Sequence, residues 1–89
     1  MPALLVVTDL QQPPEAYPRF FELLKTHAYA RLTPAIWAVE VDATPKSLFD
    51  DLKPLIKETD FLYVFRLTPS FVGRGSANVL KWLKDHVRA

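Results

Sequence analysis

The chain opens on a short unbroken apolar run, Leu4-Leu5-Val6-Val7, followed by Thr8, Asp9 and Leu10. Such a run predicts a strand over 3–8 that is buried on both faces, with an acid where it leaves the core. Residues 11–14 form a loop, because Pro13-Pro14 bars regular structure. Tyr17, Phe20, Phe21, Leu24 and Ala28 then keep the spacing of one helix face and predict a first helix over 16–27. Pro18 is tolerated there only in the first turn, where backbone N–H groups have no helical acceptor.

Residues 29–33 and 36–42 read as two strands. In the second, Trp37, Val39 and Val41 alternate with Ile36, Ala38 and Glu40. Together they predict a hairpin turning at Thr33-Pro34-Ala35. Thr44 followed by Pro45 is a helix start, with an N-cap hydroxyl and proline at the first helical position. That second helix buries Leu48, Leu52, Leu55 and Ile56, and Pro54 predicts a kink or reset near Asp51. A last core strand covers 61–66, with Phe61, Tyr63 and Phe65 on one face and Leu62, Val64 and Arg66 on the other. A loop over 68–75 leads to Ser76, which caps a final helix carrying Val79, Leu80, Leu83 and Val87 on one side.

The order is β-α-β-β-α-β plus a helix. It predicts an α+β, ferredoxin-like βαββαβ fold with an antiparallel sheet and both crossover helices on one face. Residues 1–67 form the core, and residues 68–89 add a loop and a helix to the same single domain. The other sheet face then needs a cover, from the final helix, a second protomer or a ligand. In this order strand one lies between the third and fourth strands and runs antiparallel to both. Asp9 therefore falls beside Ala35-Ile36 and Asp60-Phe61, while Asp42 falls at the opposite rim.

An 89-residue chain makes one small domain. It has no cysteine, so disulfides and thiolate metal sites are excluded, and a reducing cytoplasm suits it. Its longest apolar run is far too short to span a membrane, and the first residues lack the basic and small-residue marks of a signal peptide. Charge is uneven: residues 1–65 carry six bases and nine acids, a net of −3, and residues 66–89 carry five bases against Asp85, a net of +4. A basic tail on an acidic body fits an anionic partner such as nucleic acid; a solvated helix face gives the same pattern.

Two carboxylates at one sheet rim, Asp9 and Asp60, can ligate Mg²⁺, which takes one or two carboxylates with water and phosphate oxygens. Either can equally be a turn or strand-start residue. Gly73-Arg74-Gly75-Ser76 holds both glycines of the chain ahead of a helix. It reads as a phosphate contact through Arg74 and free N–H groups, or as a flexible connector. Arg66, Lys81 and Lys84 are further candidates for nucleic-acid contact. The row Phe61, Tyr63, Phe65 resembles the stacking platforms of RNA-binding sheets, but its place on an edge strand suits core or dimer packing. Trp37 and Trp82 read as packing residues. His27 and His86 have no metal-ligand spacing and read as surface residues. No nucleophile elbow or catalytic triad ordering is present.

The segment 4–10 resembles the opening strand, with its terminal aspartate, of the small CRISPR-associated subunit that dimerises within the spacer-integration complex. The likeness is nearer to that family's SinR-like branch. It extends through Thr8-Asp9-Leu10 with a following proline and Tyr17, Ala35-Ile36-Trp37-Ala38-Val39, Leu52-Lys53-Pro54-Leu55-Ile56, Asp60-Phe61-Leu62-Tyr63-Val64 and Trp82-Leu83-Lys84. The resemblance implies a homodimer packed sheet against sheet. It also implies that Asp9 of each protomer faces its counterpart across a two-fold and shares a divalent ion, with endonuclease activity in some members and a DNA-gripping adaptor role in others. Departures point to a diverged member: Arg19 stands alone where the CRISPR-associated members carry several arginines, and Ala35 stands where serine is usual. Two functions follow as expectations. One is Mg²⁺-dependent cleavage of RNA or DNA phosphodiesters with Asp9 as catalytic ligand, Asp60 beside it, and no organic cofactor. The other is a non-catalytic dimeric module that binds nucleic acid or a protein.

Overall fold

The computed structural model describes residues 1–88. Its elements are β1 (Ala3–Asp9), a 3₁₀ turn at Pro14–Ala16, α1 (Pro18–Lys25), β2 (Ala28–Thr33), β3 (Ile36–Glu40), α2 (Pro45–Leu52) running into a 3₁₀ turn at Lys53–Leu55, β4 (Phe61–Arg66) and α3 (Ala77–His86). The strands form one sheet in the order β2-β3-β1-β4, and every neighbouring pair is antiparallel. This α+β arrangement of a four-stranded antiparallel sheet and three helices is compatible with a ferredoxin-like fold.

The register assigns each side chain to a face. Directly paired residues share a face. Leu4 and Val6 pair with Val39 and Trp37, and with Arg66 and Val64. They form the main core with Tyr17, Phe20 and Leu24 from the first helical segment and Leu48 and Leu52 from α2. On the opposite face Ala3 and Ala38 pack under Leu83 and Val87 of α3, with Leu5, Leu67, Val79 and Trp82 around them. The final helix thus covers part of the second face. The remainder, along β4, presents Phe61, Tyr63 and Phe65, each more than half exposed (54%, 55% and 54%).

Local chemistry explains where the helices start and stop. Tyr17 leaves the helical region at φ −128° and becomes the N-cap of α1, so the helix begins at Pro18 rather than at residue 16. At the other end Thr26 folds back, its hydroxyl donating to the Leu23 carbonyl at 2.6 Å, and Ala28 joins β2 instead of the helix face. The start of α2 is a capping box: Ser47 N–H donates to Thr44 Oγ1, and Thr44 N–H to Ser47 Oγ, both at 3.0 Å. Pro54 supplies no N–H, and α2 gives way to a 3₁₀ turn at Lys53, two residues beyond the expected reset.

A chain this short has little stability to spare. Leu24 is fully buried in the main core, and Leu24→Ala is expected to cost about 3 kcal/mol. Thr44→Ala, which removes half of the capping box, is expected to cost about 1 kcal/mol. Urea denaturation followed by circular dichroism measures both.

Candidate functional site

The end of β1 defines one rim of the sheet. Val7 pairs with Ile36 and Asp9 with Phe61, so Asp9 lies beside the β2–β3 hairpin on one side and Asp60-Phe61 on the other. Asp42 follows β3 at the far rim, beyond Glu40, which pairs with Ala3. The hairpin is pinned to β1 by Thr8, whose N–H and hydroxyl both donate to the Ala35 carbonyl, at 2.9 and 2.8 Å.

The two acids at this rim sit in opposite circumstances. Asp60 is buried. Its Oδ1 accepts from Gln11 N–H at 2.7 Å and from the Tyr17 hydroxyl at 3.0 Å, and its Oδ2 accepts from Lys57 N–H at 2.8 Å. The Tyr17 hydroxyl in turn accepts from Gln12 N–H at 3.2 Å. Burial alone would raise the Asp60 pKa. The Gln11 and Lys57 N–H groups, the Tyr17 hydroxyl and the Lys57 ammonium outweigh it and hold the carboxyl below the usual aspartate value. The Tyr17 phenol is pushed up, by its own burial and then by its bond to Asp60. Asp9, by contrast, is exposed, and among the described residues no side-chain hydrogen bond or ion pair engages its carboxylate. Its oxygens are open to a ligand, while those of Asp60 are already occupied by protein donors.

A cleft of about 240 Å³ opens at this rim, and Asp9, Thr8, Gln12, Phe21, Arg31 and Ala35 contribute to its wall. Arg31 pairs with Trp37 across the hairpin, next to a shift in register between Arg31 and Thr33. Its guanidinium carbon lies 4.8 Å from the Trp37 ring centroid and 5.5 Å from that of Phe21. Nη2 donates to the Pro34 carbonyl at 3.1 Å. A guanidinium stacked on two rings and tethered at one nitrogen has lost much of its freedom, and its remaining N–H groups suit an oxyanion. Sequence reasoning missed Arg31. The one signal was the register of the hairpin, which sets Arg31 opposite Trp37.

The basic residues picked from the sequence do not gather here. Arg66 pairs with Leu4 at the other end of β4, about 17 Å along the strand from Phe61. Arg74 lines a neighbouring cleft of about 400 Å³ that also includes Arg31, with Leu32, Thr33 and Ile36 of the hairpin and the start of α3. Lys81 is paired with Asp85 at 2.8 Å, and Lys84 is exposed on α3. His86, read as a surface residue, is half-buried: its Nδ1 is 3.4 Å from Glu40, and its ring stacks on Trp82 at 4.3 Å. That contact fastens α3 to the sheet.

Among the described residues no three His, Cys, Asp or Glu side chains cluster as a metal site, and no helix is long and apolar enough to cross a membrane. In comparisons with known proteins, no family model matches the chain and no curated protein matches it. The CRISPR-associated resemblance rests on the residues quoted for it.

The contrast between the acids is measurable. Asp60→Ala leaves the Tyr17 hydroxyl and two backbone N–H groups short of an acceptor and is expected to cost about 2–3 kcal/mol. Asp9→Ala is expected to change stability by less than about 0.5 kcal/mol. Because the folded state lowers the Asp60 pKa, its contribution is complete above the ordinary aspartate range and is lost as pH falls through that range to the lower folded value. Urea titrations of wild type and Asp60→Asn are expected to differ most near neutral pH and to converge in acid.

Proposed function

We propose that the protein is a diverged, homodimeric, ferredoxin-like member of the small CRISPR-associated endonuclease-like family that acts on RNA or DNA phosphodiesters with Mg²⁺. The observation that carries this reading is that a carboxylate with no protein partner, Asp9, and a guanidinium already stacked in place, Arg31, both line one cleft at the rim, which they approach from opposite faces of the sheet. The donor set suits the ion, since Mg²⁺ is commonly held by one or two carboxylates with the rest of its shell from water and phosphate oxygens. When bound, the ion neutralises phosphate charge and acidifies a coordinated water. Asp9 holds it, and Arg31 grips a phosphate oxygen through its free N–H groups. Asp60 supports the site by fixing the Gln11 backbone two residues beyond Asp9. Arg66, Arg74, Lys81 and Lys84 are spread over the molecule and suit looser contact with a longer nucleic-acid backbone. A cytoplasmic location belongs to the same proposal and draws on the lack of cysteine.

The test is nucleolysis of single- and double-stranded RNA and DNA with Mg²⁺ or Mn²⁺. Asp9→Ala is expected to lower the rate by about 100-fold or more and Arg31→Met by about 10- to 100-fold, with folding intact by circular dichroism. Equal rates in wild type and Asp9→Ala would remove the metal role.

A second reading is a non-catalytic dimeric interaction module. The exposed row Phe61, Tyr63, Phe65 favours it, since large apolar residues exposed in one patch mark interaction surfaces. Under this reading nucleic acid binds without cleavage. Affinity falls with salt, and the salt slope becomes shallower in an Arg74/Lys81/Lys84 triple alanine variant. An unchanged slope in that variant would count against the basic tail as the binding surface.

A further inference from the structure

The outer edge of β4 ends the sheet. The Leu67 N–H donates to the Ala3 carbonyl at 2.9 Å, and the register pairs Phe65 with Leu5, Tyr63 with Val7 and Phe61 with Asp9. Backbone groups alternate in direction along a strand, so the odd-numbered residues of β4 bond to β1. The N–H and C=O groups of Leu62, Val64 and Arg66 point away from the sheet. Natural edges of this kind are blunted by lysine, proline, a bulge or a covering segment. Here the run is Phe-Leu-Tyr-Val-Phe, with no charge before Arg66 and no register shift against β1. Beside the edge, toward α2, lie two shallow apolar clefts of about 290 and 300 Å³ that share Phe49, Leu62 and Tyr63.

We infer that β4 pairs with β4 of a second copy of this chain, antiparallel about a two-fold axis at Val64, to make one continuous eight-stranded sheet. Three features select this occupant and register. First, centring on Val64 sets Val64 against the partner's Val64 and Leu62 against the partner's Arg66. Every outward N–H and C=O of the three residues then finds a partner, whereas a centre at Tyr63 leaves those of Arg66 unpaired. Second, the charges agree with it. Arg66, the one charged residue of the strand, lies opposite the partner's Leu62, and the two guanidiniums fall at opposite ends of the ribbon. Third, Tyr63 comes opposite the partner's Phe65, an aromatic cross-strand pair made twice. The edges of Tyr63 and Phe65, with the Leu62 and Val64 side chains, supply the apolar contact, while the outer faces of the rings stay in solvent. Leu62 and Val64 of the partner extend the floor of the clefts beside Phe49. Packing sheet against sheet is less well served, because α3 already occupies part of the face it needs.

This inference rests on the homodimer proposed above and fails separately from it. The experiment is amide hydrogen exchange by NMR on the wild-type protein, with its mass measured by light scattering at the same concentration. The expected result is a dimer in which the Leu62, Val64 and Arg66 amides exchange about 100-fold or more slower than unpaired amides, like those of Tyr63 and Phe65. A dimer whose Leu62, Val64 and Arg66 amides exchange freely overturns the edge pairing and leaves the homodimer standing. A monomer overturns both. Register is read from a mixture of Tyr63→Cys and Phe65→Cys chains, both exposed positions in a chain with no native cysteine. Oxidation is expected to yield the mixed disulfide dimer; slow amides without that cross-link mean another strand sits there and overturn the pairing.

Discussion

A carboxylate buried at a sheet rim is costly unless its charge is met by donors, and Asp60 meets that condition in a way that organises its surroundings. Its three donors come from three separate places: the loop after β1, the turn before β4 and the N-cap of α1. The loop carries two glutamines and two prolines and has no strand to hold it. The turn before β4 receives one backbone bond, from Asp60 N–H to the Lys57 carbonyl. Tyr17 lies outside the helical region because Pro18 follows it, so α1 starts at Pro18 and the Tyr17 hydroxyl is set to reach Asp60. The shape of the rim, and with it the bearing of Asp9, depends on this one acceptor.

The economy of the sheet follows from chain length. Two short helices fill one face, and their side chains with the inward residues of β1 and β3 make the main core. A single further helix remains for the other face. It is ten residues long, about 15 Å, and it seals the sheet around Ala3 and Ala38 but does not reach β4. Aromatic residues on β4 are thus left in solvent by a shortage of covering elements. An exposed face and an unpaired edge on the same strand arise from one cause. The strand pairing inferred above would satisfy the edge and set Tyr63 beside the partner's Phe65, while the outer faces of the rings stay in solvent.

Much of this architecture was legible in the chain. The alternation from residue 36, which the strand follows to Glu40 rather than Asp42, the Thr44-Pro45 start and the run at 4–7 each carry a local reason that tertiary packing did not override. The order of elements, read as ferredoxin-like, supplied the placing of strand one between the third and fourth strands, and from that came the meeting of Asp9 with Asp60 and Ala35 at one rim. Helix ends were less legible. Tyr17 and Ala28 fit an apolar helical stripe, and nothing local says that Tyr17 is needed as a donor 43 residues away. His86 looked solvent-facing for a similar reason, since its partner Glu40 lies on a strand remote in sequence. The cleft was the least legible feature. Composition drew attention to the basic tail, yet the arginine that reaches Asp9's cleft sits in the acidic part of the chain.

Asp9 and Asp60 show why residue type alone could not assign the site. Both are aspartates at one end of one sheet, and a rule that collects carboxylates treats them as a pair. Their donors separate them. Asp60 has three of its roughly four acceptor positions engaged by the fold, and a cation placed on it would compete with hydrogen bonds that hold the loop, the turn and α1 together. Asp9 has spent none, and its carboxylate adds nothing visible to folding. An exposed acid at the end of a buried strand is free to vary as far as stability is concerned. Under the proposed reading a ligand at Asp9 comes from outside the folded chain, and Arg31, stacked on Phe21 and Trp37 and lining the same cleft, would suit an anionic group on that ligand.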